Sequence, residues 1–244
     1  MPIFKKNVKK TILLVFAQKE EYDAFFSSIF FSNISLSNGL ELTKAKIEKS
    51  TIYAFFSGVG KTAMSYKLGL FLSVIKPDLI INIGVSGSIS DKLNVYDVLV
   101  ADKTCYYDAD LREFNYKYGQ MSGCPLYFEC DKEVIEYLKN YSINDETVKT
   151  GLIITGDKFI TKEKIDKKWF EYFDNPISCD MESAAVGQVA FINKIPFAII
   201  RAISDAPNKS DTNVDEYNAK LNNASIKAAN LVMIFLKDYT AKIK

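Results

Sequence analysis

The 244-residue chain carries 31 Lys and Arg against 30 Asp and Glu, a formal net charge of +1, so no global field draws it to nucleic acid or an anionic membrane. Its 48% hydrophobic and 25% charged content is that of an ordinary globule with room for one full core. It has no histidine, which excludes serine–histidine and cysteine–histidine catalysis and a histidine zinc site, and leaves Asp and Glu as acids and bases with Lys, Tyr and Arg in support.

The four cysteines, Cys105, Cys124, Cys130 and Cys179, lack metal or redox spacing and read as reduced thiols of a cytoplasmic protein. No run approaches the roughly 18–20 apolar residues of a membrane helix. Residues 1–10 form a basic extension (Lys5, Lys6, Lys9, Lys10) that reads as a solvated tail. The apolar run Thr11–Ala17 has no small-residue cleavage site and is followed at once by Gln18-Lys19-Glu20-Glu21, so it reads as a buried first strand rather than a signal peptide.

A helix is predicted from Glu20 to about Ser28, with Tyr22, Phe25, Phe26 and Ile29 on one face and Glu21 in its first turn. There a carboxylate is either a dipole partner or a functional group. One or two strands are expected in Ile47–Ser57. The following Gly58-Val59-Gly60-Lys61-Thr62 has Phe55 where a phosphate loop needs its first glycine, so it reads as a tight strand-to-helix turn. A helix with Met64, Leu68, Phe71, Leu72 and Ile75 then stops before Pro77. Leu79–Ile83 is predicted as a buried strand that ends in a glycine-rich turn, Gly84-Val85-Ser86-Gly87-Ser88, whose exposed N–H groups would let a ligand approach closely.

Val95 to about Cys105 is strand-like. Between Cys105 and Asp131 lies an aromatic stretch without helix or strand period. A loop that long and that apolar is expected to pack against something, with a second subunit the natural candidate. Lys132–Tyr141 reads as a surface helix, Gly151–Thr155 as a strand and Lys162–Lys168 as a solvated face. Asp180 and Glu182 then open a helix of small residues, broken at Lys194-Ile195-Pro196 and followed by an apolar strand, Phe197–Ile203, that ends in Ser204-Asp205. The last helix, Val214 to about Tyr239, carries a core stripe of Tyr217, Leu221, Ala224, Ala228, Leu231 and Phe235. With no linker or repeat, residues 11–244 read as a single α/β domain.

In open α/β sheets ligands sit outside the carboxyl ends of strands. Glu21, Gly84–Ser88, Ser204-Asp205 and Glu182 would thus share one edge, with Arg201 near. Such a group suits glycosidic cleavage, which needs an acid for the leaving group and a base for water. A metabolite-binding domain whose carboxylates only make hydrogen bonds remains the other reading.

The motifs Asp180-Met181-Glu182-Ser183-Ala184-Ala185 and Arg201-Ala202-Ile203-Ser204-Asp205 resemble the signature of 5'-methylthioadenosine/S-adenosylhomocysteine nucleosidases. Tyr107-Asp108-Ala109-Asp110, Tyr116-x-Tyr118-Gly119-Gln120 and Gly123-Cys124-Pro125 are similar to that family's inter-subunit segment. Thr155-Gly156-Asp157-x-Phe159-Ile160 resembles its purine loop, and Ala17-x-x-Glu20-Glu21 its first catalytic loop. The resemblance implies a nucleoside phosphorylase-like fold, a three-layer α/β/α domain with a mixed central sheet, in a homodimer without cofactor or metal. It implies a nucleoside substrate, adenine release and a place in methionine salvage. Asp205 would be the general acid, oriented by Ser204, and Glu21 would activate water with Arg201 close by. Glu182 would hold the ribose hydroxyls, Met181 pack on the ribose, Phe159 stack on adenine and Ile160 read its edge. Val85, Ser86 and Gly87 would line the water and ribose side. The partner's aromatic loop, Tyr106–Phe128, would cover the 5' pocket through Phe114 and Tyr116. Gln18 stands where a methionine is usual, Val85 where a serine is, Ser122 where a proline is and Asp180 where a glutamate is. A futalosine-type nucleosidase and a catalytically weak binding paralogue are the alternatives within the superfamily.

Overall fold

The computed structural model describes residues 10–27, 29–143, 146–207 and 214–241. Of the basic extension only Lys10 falls within them, beside the ring of Tyr239; Lys5, Lys6 and Lys9 lie outside the described residues.

The chain begins with β1 (Thr11–Phe16), α1 (Lys19–Phe26), β2 (Phe31–Ser35), β3 (Glu41–Ile47), β4 (Ser50–Phe56) and α2 (Lys61–Leu72). Next come β5 (Leu79–Ser88), β6 (Val98–Tyr106), β7 (Phe128–Glu129), α3 (Lys132–Leu138), the short pair β8 (Ser142–Ile143) and β9 (Glu146–Thr147), and β10 (Lys149–Thr155). The one-turn α4 (Trp169–Tyr172), β11 (Pro176–Asp180), α5 (Ser183–Asn193), β12 (Phe197–Asp205) and the long α6 (Val214–Ala241) complete it.

One mixed sheet runs β11-β10-β6-β12-β5-β1-β4-β3-β2, with β7 on β6. β1 lies parallel to β4 and β5, while β12 is parallel to β5 and antiparallel to β6. Strands buried on both faces read as unbroken apolar runs, and β1 shows why. Ile12, Leu14 and Phe16 enter a core shared with Phe25 of α1 and Leu231 and Phe235 of α6. Leu13 and Val15 enter a second core with Met64, Leu68 and Phe71 of α2 and Ala184, Val186 and Ala190 of α5. Helices therefore cover both faces, giving three α/β/α layers.

Two expectations change. The glycine-rich run Gly84–Ser88 is not a turn: β5 continues through it and its end pairs antiparallel with β11, Cys179 opposite Gly87 and Ser178 opposite Ser88. This closes β5, β12, β6, β10 and β11 into a ring. β11 and the edge strand β2 were not foreseen. β11 is too short to show a period before its acidic end, and β2 exposes most of its residues.

The aromatic stretch is also less open than its lack of period suggests. Tyr118 donates its hydroxyl to the Tyr107 carbonyl at 2.6 Å and packs on Tyr172, ring centroids 4.7 Å apart. The Arg112 guanidinium lies over the Tyr118 and Tyr172 rings. The base of the loop thus folds on its own chain, while Phe114 stays 72% exposed. Gly119 allows this at φ +84°, its Cα against the Tyr106 carbonyl, and an added Cβ would meet that oxygen and also Phe173 Cε1 at 2.8 Å. Gly119→Ala combines left-handed strain with overlap and should lower unfolding free energy by about 1–3 kcal/mol. A urea midpoint equal to the unaltered protein's would refute this account of the loop.

Candidate active site

Glu21 is the third residue of α1, where a glutamate side chain can reach back to cap its own helix. Its Oε2 accepts the N–H groups of Ala17 and Gln18, both at 3.0 Å, and its Oε1 accepts that of Val85 at 2.9 Å. The carboxylate is 3% exposed. Burial pushes its pKa up, while the Arg201 charge and the three N–H donors oppose the shift. β5 can pass this close because Gly84 has no side chain; a Cβ there would overlap Glu21 Oε1.

Glu182 occupies the N-cap position of α5. Its Oε1 accepts the Gly60 N–H at 2.7 Å, which gives the turn after β4 its purpose. Gly58 and Gly60 both have positive φ there. Burial, then the neighbouring Asp180 charge, pushes the Glu182 carboxyl up to about 8 against the Gly60 donor and Arg201. Asp205 is the last residue of β12, 4% exposed, and takes the Ser204 hydroxyl on Oδ1 at 2.6 Å. Gly87 again makes room, since a Cβ there would stand 3.0 Å from Asp205 Oδ2.

Below these groups lies a buried ion pair. Arg201 NH2 stands 3.0 Å from Asp180 Oδ2, with the two side chains 3% and 2% exposed. The guanidinium also donates to the Ser183 hydroxyl, the Asn82 side chain and the carbonyls of Asn82 and Ile200. Asp180 also accepts from Thr155 Oγ1 at 2.7 Å and from the Ser183 N–H and hydroxyl.

One cavity of about 270 Å³ gathers Glu21, Glu182, Asp205, Ser204, Val85, Ser86, Gly87, Met181, Phe159 and Ile160. Of the residues expected from the same chain, Arg201 stands apart from it. Arg201 is held behind the cavity by Asp180 and Asn82, and Phe114 and Tyr116 do not line the cavity of their own chain. Gln18, Cys179, Tyr217 and Asn218 line it without having been singled out as contact residues. Tyr217 had read as the first member of a core stripe, and its one signal was a phenol among Leu, Ala and Phe. Among the described residues no group of three or more His, Cys, Asp or Glu is placed to hold a metal ion.

Three carboxyl groups in unequal environments, beside an aromatic face, can divide acid, base and hydroxyl-holding roles. Comparison with known proteins shows the family of the chain. A family model described as the phosphorylase superfamily matches residues 11–237. The 5'-methylthioadenosine/S-adenosylhomocysteine nucleosidase of Buchnera aphidicola is 37% identical over 204 residues, 83% of this chain and 86% of that protein. A Borrelia burgdorferi structure with bound adenine superposes with a TM-score of 0.85 at 33% identity, covering 91% of this chain and 97% of that one. The Streptococcus pneumoniae nucleosidase of the same name, solved with a transition-state inhibitor, gives 0.85 at 28% identity over 93% and 98%.

The raised Glu182 pKa has a consequence for stability. Folded Glu182 keeps its proton up to about 8, whereas an ordinary carboxyl releases it at 4.5. Between those values the folded chain binds more protons, so this group's contribution is full below 4.5 and lost as pH rises toward 8. Glu182→Gln keeps an oxygen for the Gly60 N–H and removes that loss. Its Tm should exceed the unaltered protein's by a margin that widens from about pH 5 to about pH 9. A margin constant with pH would mean that Glu182 is ionised throughout.

Proposed function

The chain belongs to the phosphorylase superfamily and, within it, to the 5'-methylthioadenosine/S-adenosylhomocysteine nucleosidases, and on that premise we propose how its cavity works. It hydrolyses the N-glycosidic bond of 5'-methylthioadenosine and S-adenosylhomocysteine, releasing adenine and the 5'-thio-substituted ribose. The observation that carries the scheme is the convergence of Glu21, Glu182 and Asp205, all buried, on one cavity beside Phe159.

In this scheme Phe159 stacks on the adenine and the Ile160 backbone meets its edge. Asp205, with Ser204 fixing one of its oxygens, gives a proton or a strong hydrogen bond to N7 as the bond from C1' to N9 breaks and its electron pair passes to the base. Glu182 holds the ribose hydroxyls, its carboxyl oxygens facing the sugar where the oxocarbenium charge develops; Met181 packs on the sugar.

A carboxylate offers about four lone-pair positions. Three of Glu21's take backbone N–H groups, leaving one on the Oε1 side for water. Water's oxygen bonds to C1' as its proton passes to Glu21. Burial, which raises the Glu21 pKa, makes it a better acceptor at that step. Exchange with solvent then reprotonates Asp205 and deprotonates Glu21. Phosphate would need a cation at this corner, and the Arg201 guanidinium is committed to Asp180, Asn82 and Ser183. Water is therefore the favoured nucleophile.

The finer proposals follow the same line. 5'-Deoxyadenosine, which keeps the base and ribose hydroxyls, should also be a substrate. The active form would be a homodimer in which the segment Tyr106–Phe128, with Phe114 72% exposed and Tyr116 nearby, covers the partner's 5' pocket. The roles assigned to Val85, Ser86 and Gly87 are to line the sugar side. Residues 11–244 would act as one domain in the cytoplasm, within methionine salvage. No described helix is long and apolar enough to cross a membrane.

Assay of purified protein on 5'-methylthioadenosine should release adenine at the same rate with and without phosphate; a strict phosphate requirement would overturn hydrolysis. Asp205→Asn keeps the side chain's shape without its proton and should lower kcat by on the order of 10² or more. Near-normal turnover in that variant would remove Asp205 from the acid role.

A further inference from the structure

Two cavity residues unused by the reaction scheme, Gln18 and Tyr217, are joined to each other. Gln18 Nε2 donates to the Tyr217 phenol oxygen at 2.6 Å across 199 positions of sequence. Gln18 is the N-cap of α1, and its own N–H is one of the two donors to Glu21 Oε2. Tyr217 lies in the first turn of α6, half-buried. Its ring stands edge-on to Phe159, with centroids 5.6 Å apart and planes at 80°. Burial, together with the charges of Glu21, Asp205 and Glu182, holds the phenol above its ordinary pKa, so it remains a neutral hydrogen-bond partner.

The turn Ala17-Gln18 belongs to neither β1 nor α1, yet both its N–H groups hold Glu21. The Ala17 carbonyl is pinned by the Gly58 N–H at 2.9 Å. On the Gln18 side, the side-chain bond that crosses to another element is the one to Tyr217. We propose that the Gln18–Tyr217 hydrogen bond is a positioning device that fixes this turn, and so the orientation of Glu21, and ties it through the Tyr217 ring to the Phe159 face on the base side. The inference rests on the assignment of Glu21 as base. Neither residue reacts; each acts through a neighbour. Freeing the turn would loosen the N–H donors that favour ionised Glu21, and its pKa would rise.

A double-mutant cycle tests this with Gln18→Met, Tyr217→Phe and the pair, assayed for adenine release from 5'-methylthioadenosine across pH. Each single change should lower kcat about five- to tenfold with KM within about twofold. The double variant should be no worse than the poorer single one, because either change alone removes the same bond. Activity falls as pH drops through the Glu21 pKa, so the acidic limb of kcat should move to higher pH in all three variants, a shift that packing loss alone would not cause. Additive losses, a change in KM alone, or an unmoved acidic limb would overturn the proposal. Tyr217→Phe keeps the ring against Phe159; should it not fold, Gln18→Met alone gives the same kcat, KM and pH readouts. No adenine release by the unaltered protein would defeat the nucleosidase scheme itself, whereas normal release with additive losses would defeat only the positioning role.

Discussion

The site depends on how four buried carboxyl groups share one buried cation. Asp180, Glu182, Glu21 and Asp205 are each 9% exposed or less, and Arg201 is 2% exposed. Moving a single ion into such surroundings costs several kcal/mol. Arg201 and Asp180 offset it by mutual contact and by hydrogen bonds to Asn82, Ser183 and Thr155. In doing so they join β12, β11, β5 and the head of α5. With that pair made, the hydrogen bonds of the guanidinium are committed, and Glu21 and Glu182 receive none of them. The electrostatic deficit has to be met by N–H donors, as at Glu21, or by keeping a proton, as the raised pKa of Glu182 indicates. A site that needs groups in different protonation states obtains them from this imbalance.

The sheet supplies the geometry. β5 does not stop where its apolar run stops; it continues past Gly84 and Gly87 to pair with β11. The two glycines place bare backbone beside the two catalytic candidates, Gly84 against Glu21 and Gly87 against Asp205. The Val85 N–H lies between them and donates to Glu21. Glycine serves here for close approach rather than for turning, and the strand end is held on both sides, by β12 as far as Gly87 and by β11 at Gly87 and Ser88.

This distinction marks how far the sequence could be read. Long apolar or strongly periodic segments, β1, α2, β12 and α6, were legible because burial on both faces or on one stripe imposes a pattern. Glu21, Glu182 and Asp205 were legible as residues of one cavity because they stand at element ends on one sheet edge; their separate roles came only with the family resemblance. Gly84–Ser88 misled because the same residues suit a turn and a close approach, and which one applies depends on Glu21, more than sixty positions away. Arg201 was placed with the catalytic group, but its hydrogen bonds turn it toward Asp180 and Asn82. Asn82, inside the apolar run Leu79–Ile83, was not singled out; it bridges Arg201 to the Val15 carbonyl. Tyr217 was hidden inside a valid helical stripe whose first turn extends beyond the core to the cavity. Such partners meet only through the fold, and no local period records them.

On the proposed scheme Glu21 combines a capping role with a catalytic one. As a cap, it accepts N–H groups that would otherwise be orphaned at the start of α1. Those donors stabilise the ionised form and limit the upward shift that burial imposes. A carboxylate without them, equally buried, would hold its proton and be unable to take another from water. One with further donors, or paired directly with Arg201, would be too weak a base. The three backbone donors oppose the rise that burial imposes, and they also fix its plane, so that the remaining lone-pair direction is set by the fold rather than by the side chain's own rotamers. On the proposed scheme the cap is therefore part of the mechanism: it orients the base and opposes the effect of burial on its pKa.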